Sequence, residues 1–107
     1  MTLREKQSKF AKMVPLLILF AYEKGYEVTL GDAWAKTGHC RGSFHYKRLA
    51  IDLNLFKDGK YLRNTKDHEP LGLFWESLDP ECTWGGRFKP PDGNHYSYCE
   101  KKRMKNH

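Results

Sequence analysis

The spacing of apolar residues changes period several times along this chain. Between Thr2 and Ala21 they recur at Phe10, Met13, Val14, Leu17, Phe20 and Ala21, the three-and-four step of a helix with a buried face. Thr2 followed by Glu5 has the form of a capping box, so a helix is predicted from about Leu3. The run Leu16–Phe20 is apolar almost all round, which predicts burial on more than one side. Pro15 lies inside the helix and should kink or divide it, and Gly25 is a suitable stop. Such a helix most often packs in a core against a sheet. Docking on a partner or a membrane is the other reading.

After Gly25 the period shortens. Tyr26–Leu30 reads as a first strand, and Gly31–Gly42 as a polar loop with one helical turn at Asp32–Lys36. From Leu49 the chain alternates: Leu49, Ile51, Leu53 and Leu55 against Ala50, Asp52 and Asn54. That is the pattern of a half-buried strand. Lys57-Asp58-Gly59-Lys60 is a hairpin turn returning through Tyr61-Leu62. Asp67 is the candidate cap of a helix over about His68–Leu78, with Pro70 in its first turn and Leu71, Phe74, Trp75 and Leu78 as its apolar face. Trp84-Gly85-Gly86 is a tight turn whose glycines allow close backbone approach. Pro90-Pro91 stiffens the way to Asp92. His95–Cys99 alternates as a last strand, with His95, Ser97 and Cys99 on one face and Tyr96 and Tyr98 on the other.

These elements predict an α+β fold, a small antiparallel sheet flanked by two helices. The chain of 107 residues fits one domain, with a core over about residues 3–99 and a basic tail over 100–107. No repeat or linker interrupts it. The net charge of +6 favours polyanions such as nucleic acid, anionic lipid or acidic wall polymers without choosing among them. Much of the excess lies in Lys101-Lys102-Arg103-Met104-Lys105, which reads as a solvated tail. Cys40, Cys82 and Cys99 are widely spaced and odd in number, which argues against a disulfide framework and for a reducing compartment. Leu16–Phe20 is too short and too late for a signal peptide and too short to span a bilayer. The protein is therefore expected to be made in a cytoplasm.

The chemistry concentrates at two places. Asp52 stands in mid-strand on the face opposite the Leu/Ile set, where an acid is unfavourable by propensity and needs compensation. Lys47 or Arg48 would serve, and so would a metal ion. His45 lies seven residues earlier, where a bend brings it beside Asp52. Near the other end stands Asp92-Gly93-Asn94-His95. His45, Asp52 and His95 together make a three-ligand zinc site with one position open, as catalytic zinc requires. Asp92 is then a spare carboxylate able to act as general base. Each residue also has an ordinary reading: a buried His is usually a hydrogen-bonded core residue, and Asp92-Gly93 alone is a turn. A different metal set from His39, Cys40, Cys82 and Cys99 has no CxxC pair to support it.

Ser43, His45 and Asp52 form a Ser-x-His-x6-Asp segment, Asp92 and His95 an acid three residues before a second His, and Trp84-Gly85-Gly86 precedes that second segment. In these elements the chain resembles the M15 family of zinc peptidases, the D-alanyl-D-alanine carboxypeptidase and phage endopeptidase group, over roughly residues 26–98. The resemblance implies the Hedgehog-like peptidase fold of that family, with Zn2+ on the open sheet face held by His45, Asp52 and His95, and Asp92 as base. It also implies an Arg that holds a substrate carboxylate or polarises the scissile carbonyl. Trp34-Ala35 stands where relatives carry an aromatic-Arg pair, and Arg41 is the best substitute.

The Trp-Gly-Gly element and short chain resemble phage endolysins, which cut peptidoglycan peptides, typically at L-alanyl-D-glutamate. The runner-up is a D-Ala-D-Ala carboxypeptidase. From another class, a non-catalytic basic protein binding cell wall or nucleic acid is the alternative, although no nucleic-acid signature accompanies the charge. The expected partner is bacterial peptidoglycan, with no nucleic acid and no membrane insertion, and the expected state is a monomer. Such an enzyme would be delivered to the wall by holin-type release or as part of a phage particle.

Overall fold

A computed structural model describes residues 1–31 and 48–98. The predicted loop turn at Asp32–Lys36, the end of the last strand at Cys99 and the basic tail lie outside the described residues. The fold is α+β. A first helix, α1 (Leu3–Glu23), leads into β1 (Glu27–Leu30); then come β2 (Ala50–Lys57), β3 (Lys60–Leu62), α2 (Glu69–Leu78), β4 (Cys82–Trp84) and β5 (His95–Tyr98). Short 3-10 turns occupy Thr65–His68 and Gly85–Arg87.

The capping box forms as its spacing requires. Glu5 N–H donates to Thr2 Oγ1 at 3.1 Å and Thr2 N–H donates to Glu5 Oε1 at 2.8 Å. The backbone donor of Thr2 holds the Glu5 carboxyl below its ordinary range. Pro15 does not divide α1, which runs unbroken from Leu3 to Glu23. A mid-helix proline costs about 3 kcal/mol, and burial of Met13 before it and Leu17 and Ala21 after it offsets that cost. The expectation that Leu16–Phe20 is buried on several sides is corrected. Leu17 is buried, whereas Leu16 and Leu19 are 45% and 56% exposed, so α1 buries a single stripe. Among the described residues no helix is long and apolar enough to cross a membrane.

The sheet is antiparallel, in the order β1-β2-β5-β4, with β3 also paired to β2. Because β1 and β3 both pair with Leu55 and Phe56, they lie on opposite edges of β2. One edge of β2 is therefore shared: β5 takes its first half and β3 its last. The β2–β3 turn is tight because Asp58 and Gly59 both hold positive φ, 54° and 78°, as a two-residue hairpin demands.

Alternation in β2 turns Leu49, Leu53 and Leu55 inward as predicted, with Ile51 partly buried against them, although Ala50 on the other face is buried as well. Leu49, Leu53 and Leu55 are buried in one core with Tyr96, Tyr98, Cys82 and the helices. Trp75 of α2 sits at the centre of that core. It packs edge-on against Phe10 and Tyr96 and donates its indole N–H to Ser97 O at 2.9 Å. Phe20 of α1 and Phe74 of α2 stack at 4.2 Å between centroids. Asp67 is not the cap of α2: it lies within the 3-10 turn, and His68 occupies the cap position. Cys82 is buried in this core with Sγ 3.8 Å from Met13 Sδ, the surroundings of a small hydrophobe. The short strand β4 has no counterpart in the sequence expectations.

Candidate metal centre and active site

The opposite face of β2 carries Asp52 and Asn54. In the β2–β5 ladder Asp52 lies directly across from His95, and Ala50 across from Ser97. Directly opposed side chains in an antiparallel pair share a face and touch. The His95 Nδ1 and the Asp52 Oδ1 are 3.3 Å apart. His95 is 2% exposed and the Asp52 side chain 25%, so the pair opens toward solvent at its carboxylate. The ring of Phe88 packs on His95 with centroids 5.6 Å apart.

Asp92 joins them from the turn before β5. One ligand atom from each of Asp52, Asp92 and His95 lies within 4.8 Å of the others. The turn is held at several points. Asp92 N–H donates to Gly85 O at 2.9 Å and His95 N–H donates to Asp92 O at 3.1 Å. The Trp84 indole donates to Gly93 O at 2.7 Å, and Leu53 N–H to Asn94 O at 2.9 Å. Side chains continue the tie, from Asn94 Nδ2 to Asn54 Oδ1 and from Asn54 Nδ2 to Thr29 Oγ1, each at 3.3 Å. Among the described residues the Asp92 carboxylate has no hydrogen bond or ion pair of its own, although it is half-buried.

This explains the Trp84-Gly85-Gly86 element. A Cβ on Gly85 would collide with the Asp92 carbonyl and stand 2.8 Å from His95 Cβ. A Cβ on Gly86, or on Gly72 of α2, would overlap the Trp84 ring. The glycines thus let the 3-10 turn press the Asp92–His95 segment onto β2. Gly85→Ala is expected to lower stability by about 1–3 kcal/mol, the usual cost of overpacking. It should weaken zinc binding in parallel, because backbone cannot swing aside as a side chain can. Thermal melts beside a zinc titration check both.

The donor set fits a divalent cation. Two ligands ~2.1 Å from a tetrahedral zinc are ~3.4 Å apart, close to the 3.3 Å between His95 Nδ1 and Asp52 Oδ1. Asp52 and His95 supply a carboxylate and an imidazole, donors that suit zinc chemically, with the Asp92 carboxylate beside them. Of the predicted ligands, Asp52 and His95 are brought together with Asp92 beside them; His45 and Arg41 lie outside the described residues. Behind the pair, burial pushes the Tyr96 phenol up, followed by the nearby Asp52 carboxylate, so the phenol stays protonated.

A model of the M15 peptidases described as D-alanyl-D-alanine carboxypeptidase matches residues 37–98, more than half of the 107 residues. The chain belongs to the M15 peptidase family. It carries the domain of a peptidoglycan peptidase, which places it with the hydrolases. M15 peptidases are zinc enzymes, and the Asp52/Asp92/His95 group could hold such an ion. No curated protein matches the sequence.

Two features of this M15 domain escaped sequence reasoning. His68 carried no pattern, yet it is 3% exposed, with its Nε2 3.2 Å from Leu62 O. Burial pushes its pKa down, against the opposing pull of the Leu62 carbonyl, Asp67 and Asp92. Arg87 is bound to Glu76 through contacts of 2.8 and 3.0 Å, which fixes the 3-10 turn to α2. A charge-paired Arg–Glu across two elements leaves no signature in spacing.

Proposed function

We propose that this chain is a zinc-dependent peptidoglycan peptidase of the phage endolysin type. It cuts the L-alanyl-D-glutamate bond of the wall's stem peptides and reaches the wall through holin-type release or on a phage particle. His45, Asp52 and His95 hold the ion. The observation that carries this reading is the cross-strand pairing of Asp52 with His95, with the Asp92 carboxylate beside both.

A zinc ion held there supplies Lewis acidity, lowering the pKa of water and polarising a carbonyl oxygen. The chain supplies the rest. Asp92 takes the proton of the attacking water and returns it to the leaving nitrogen. The hydrogen bonds from Asp92 N–H to Gly85 O and from His95 N–H to Asp92 O keep that carboxylate beside the ligands. Phe88 covers one side of His95 and limits water around the ring. Arg41 is proposed to contribute to oxyanion binding, as a forked guanidinium suits that charge.

The second reading, a D-Ala-D-Ala carboxypeptidase, is favoured by the description of the matching family model. Mass spectrometry of fragments released from purified peptidoglycan tests both. New N-terminal D-glutamate supports the endopeptidase, release of free D-alanine supports the carboxypeptidase, and intact sacculi overturn both. Chelation should abolish release and added zinc should restore it.

A further inference from the structure

Helix α1 has two apolar sides. Phe10, Met13, Leu17 and Ala21 face the core. On the outer side Leu16, Leu19 and Tyr22 are 45%, 56% and 50% exposed. At three-residue steps these three are neighbours in one row on the helix, and exposed Pro15 stands beside them. Single exposed leucines are ordinary on a protein surface, but a contiguous apolar row marks a place where another body is met. Leu16 also borders an open groove of about 420 Å³ between α1 and the end of α2, with Met13 and Leu78 among its lining residues.

The same side of the helix is cationic toward its start. Arg4, Ser8, Lys12 and Leu16 follow one another at four-residue steps, so the charges run directly into the apolar row. Arg4 and Lys12 are exposed, and among the described residues neither has an ion pair. Arg4 only donates to the Ser8 hydroxyl, at 2.7 Å. Lys9 is different, since Asp79 holds it at 2.6 Å. Of the two acids in α1, Glu5 is taken up by the capping box, and Glu23 adjoins Lys24 at the far end. From Arg4 to Tyr22 this side is about 27 Å long. Leucines and a tyrosine ring that enter a lipid surface, beside long cationic side chains that stay with its phosphates, are the pattern of an interfacial helix. The cations favour anionic over zwitterionic lipid.

We propose that the outer side of α1 docks the domain on an anionic lipid surface, lying in the headgroup layer without crossing it. Among the described residues no helix is long and apolar enough to cross. A second copy of the chain fits less well. Three half-exposed side chains offer on the order of a few hundred Å², short of the ~800 Å² per partner of a stable interface. The orientation also suits a lipid surface. The buried stripe of α1 packs with Leu49, Leu53 and Leu55 on one face of the sheet, whereas Asp52 and His95 pair on the other. A domain docked by α1 therefore holds its candidate metal centre away from the lipid and open to a polymer beyond it. The docking goes beyond the peptidase reading and does not depend on it.

The test is co-sedimentation of the full chain with vesicles of phosphatidylglycerol or of phosphatidylcholine. The unmodified chain should bind the phosphatidylglycerol vesicles at least ~10-fold more tightly at low salt, and added salt should weaken that binding. Leu16→Ser with Leu19→Ser should weaken it by about 10- to 30-fold, through the apolar area no longer buried. Arg4→Gln with Lys12→Gln should weaken it by roughly fivefold per cation removed. All four positions are exposed, so both double variants should melt as the unmodified chain does. No binding to either vesicle, or equal binding to both, overturns the docking. Binding that survives the leucine substitutions also overturns it, because charge elsewhere on the chain would then suffice. So does a dimer, seen by sedimentation velocity, that the leucine substitutions dissociate while vesicle binding persists. Neither metal nor substrate enters the measurement, so its outcome is separate from that of the peptidase reading.

Discussion

Asp92→Asn should lower peptidoglycan hydrolysis by about 10²- to 10⁴-fold, the span that a positioned general acid–base group contributes. The substitution is close to isosteric. It leaves the backbone bonds to Gly85 O and from His95 N–H in place. Among the described residues the carboxylate makes no hydrogen bond or ion pair, so its loss breaks no contact among them. The thermal midpoint should therefore hold within a degree or two and zinc should still bind, while the rate of fragment release falls. A variant that melts early would mean that Asp92 supports the turn. A stable variant with full activity would mean that another group moves the proton.

Trp75→Ala should cost about 3–5 kcal/mol of stability, the range for emptying a buried aromatic site. Domains of this size are stable by only about 5–15 kcal/mol, so the variant should be largely or marginally unfolded. Trp75 is fully buried, touches Phe10 of α1 and Tyr96 of β5, and gives its indole N–H to the Ser97 carbonyl. Removing it opens a cavity between helices and sheet and strips a donor from β5, two residues past His95. Urea denaturation measures this as a lower midpoint at unchanged slope. A loss below about 1 kcal/mol would show that the core closes over the gap.

Sequence reasoning found those features of the fold that rest on local repetition. The alternation from Leu49 to Leu55 placed the leucines correctly because their face meets the core, while Ala50 on the other face is buried too, which period alone did not show. The capping box and the Asp58-Gly59 hairpin were legible because each is settled within four residues. Other features depend on distant partners. The strand β4 is three residues long and exists because β5 pairs with it. The exposure of Leu16 and Leu19 could not be read from an all-apolar run, since it depends on which face of α1 meets the core. Asp67 looked like a cap, yet the preceding turn was tightened into a 3-10 form that moved the cap position to His68.

The candidate site divides in the same way. Asp52, Asp92 and His95 were named from their spacing and from the family resemblance, and the β2–β5 register brings these three together. That Gly85 permits close approach was also legible. Its contact with the Asp92 carbonyl was not, because it joins a turn to a segment seven residues on. The contact of Gly93 with Thr65 was invisible for a stronger reason: the two lie far apart in the chain and meet where β3 and β5 share one edge of β2.

The central claim is a single zinc ion shared by two imidazoles and a carboxylate. Anomalous diffraction at the zinc edge from zinc-loaded crystals tests it most directly. The account predicts one peak within ~2.0–2.2 Å of ligand atoms from His45, Asp52 and His95, with the Asp92 carboxylate facing it. A peak among the cysteines, or none between Asp52 and His95, would contradict it.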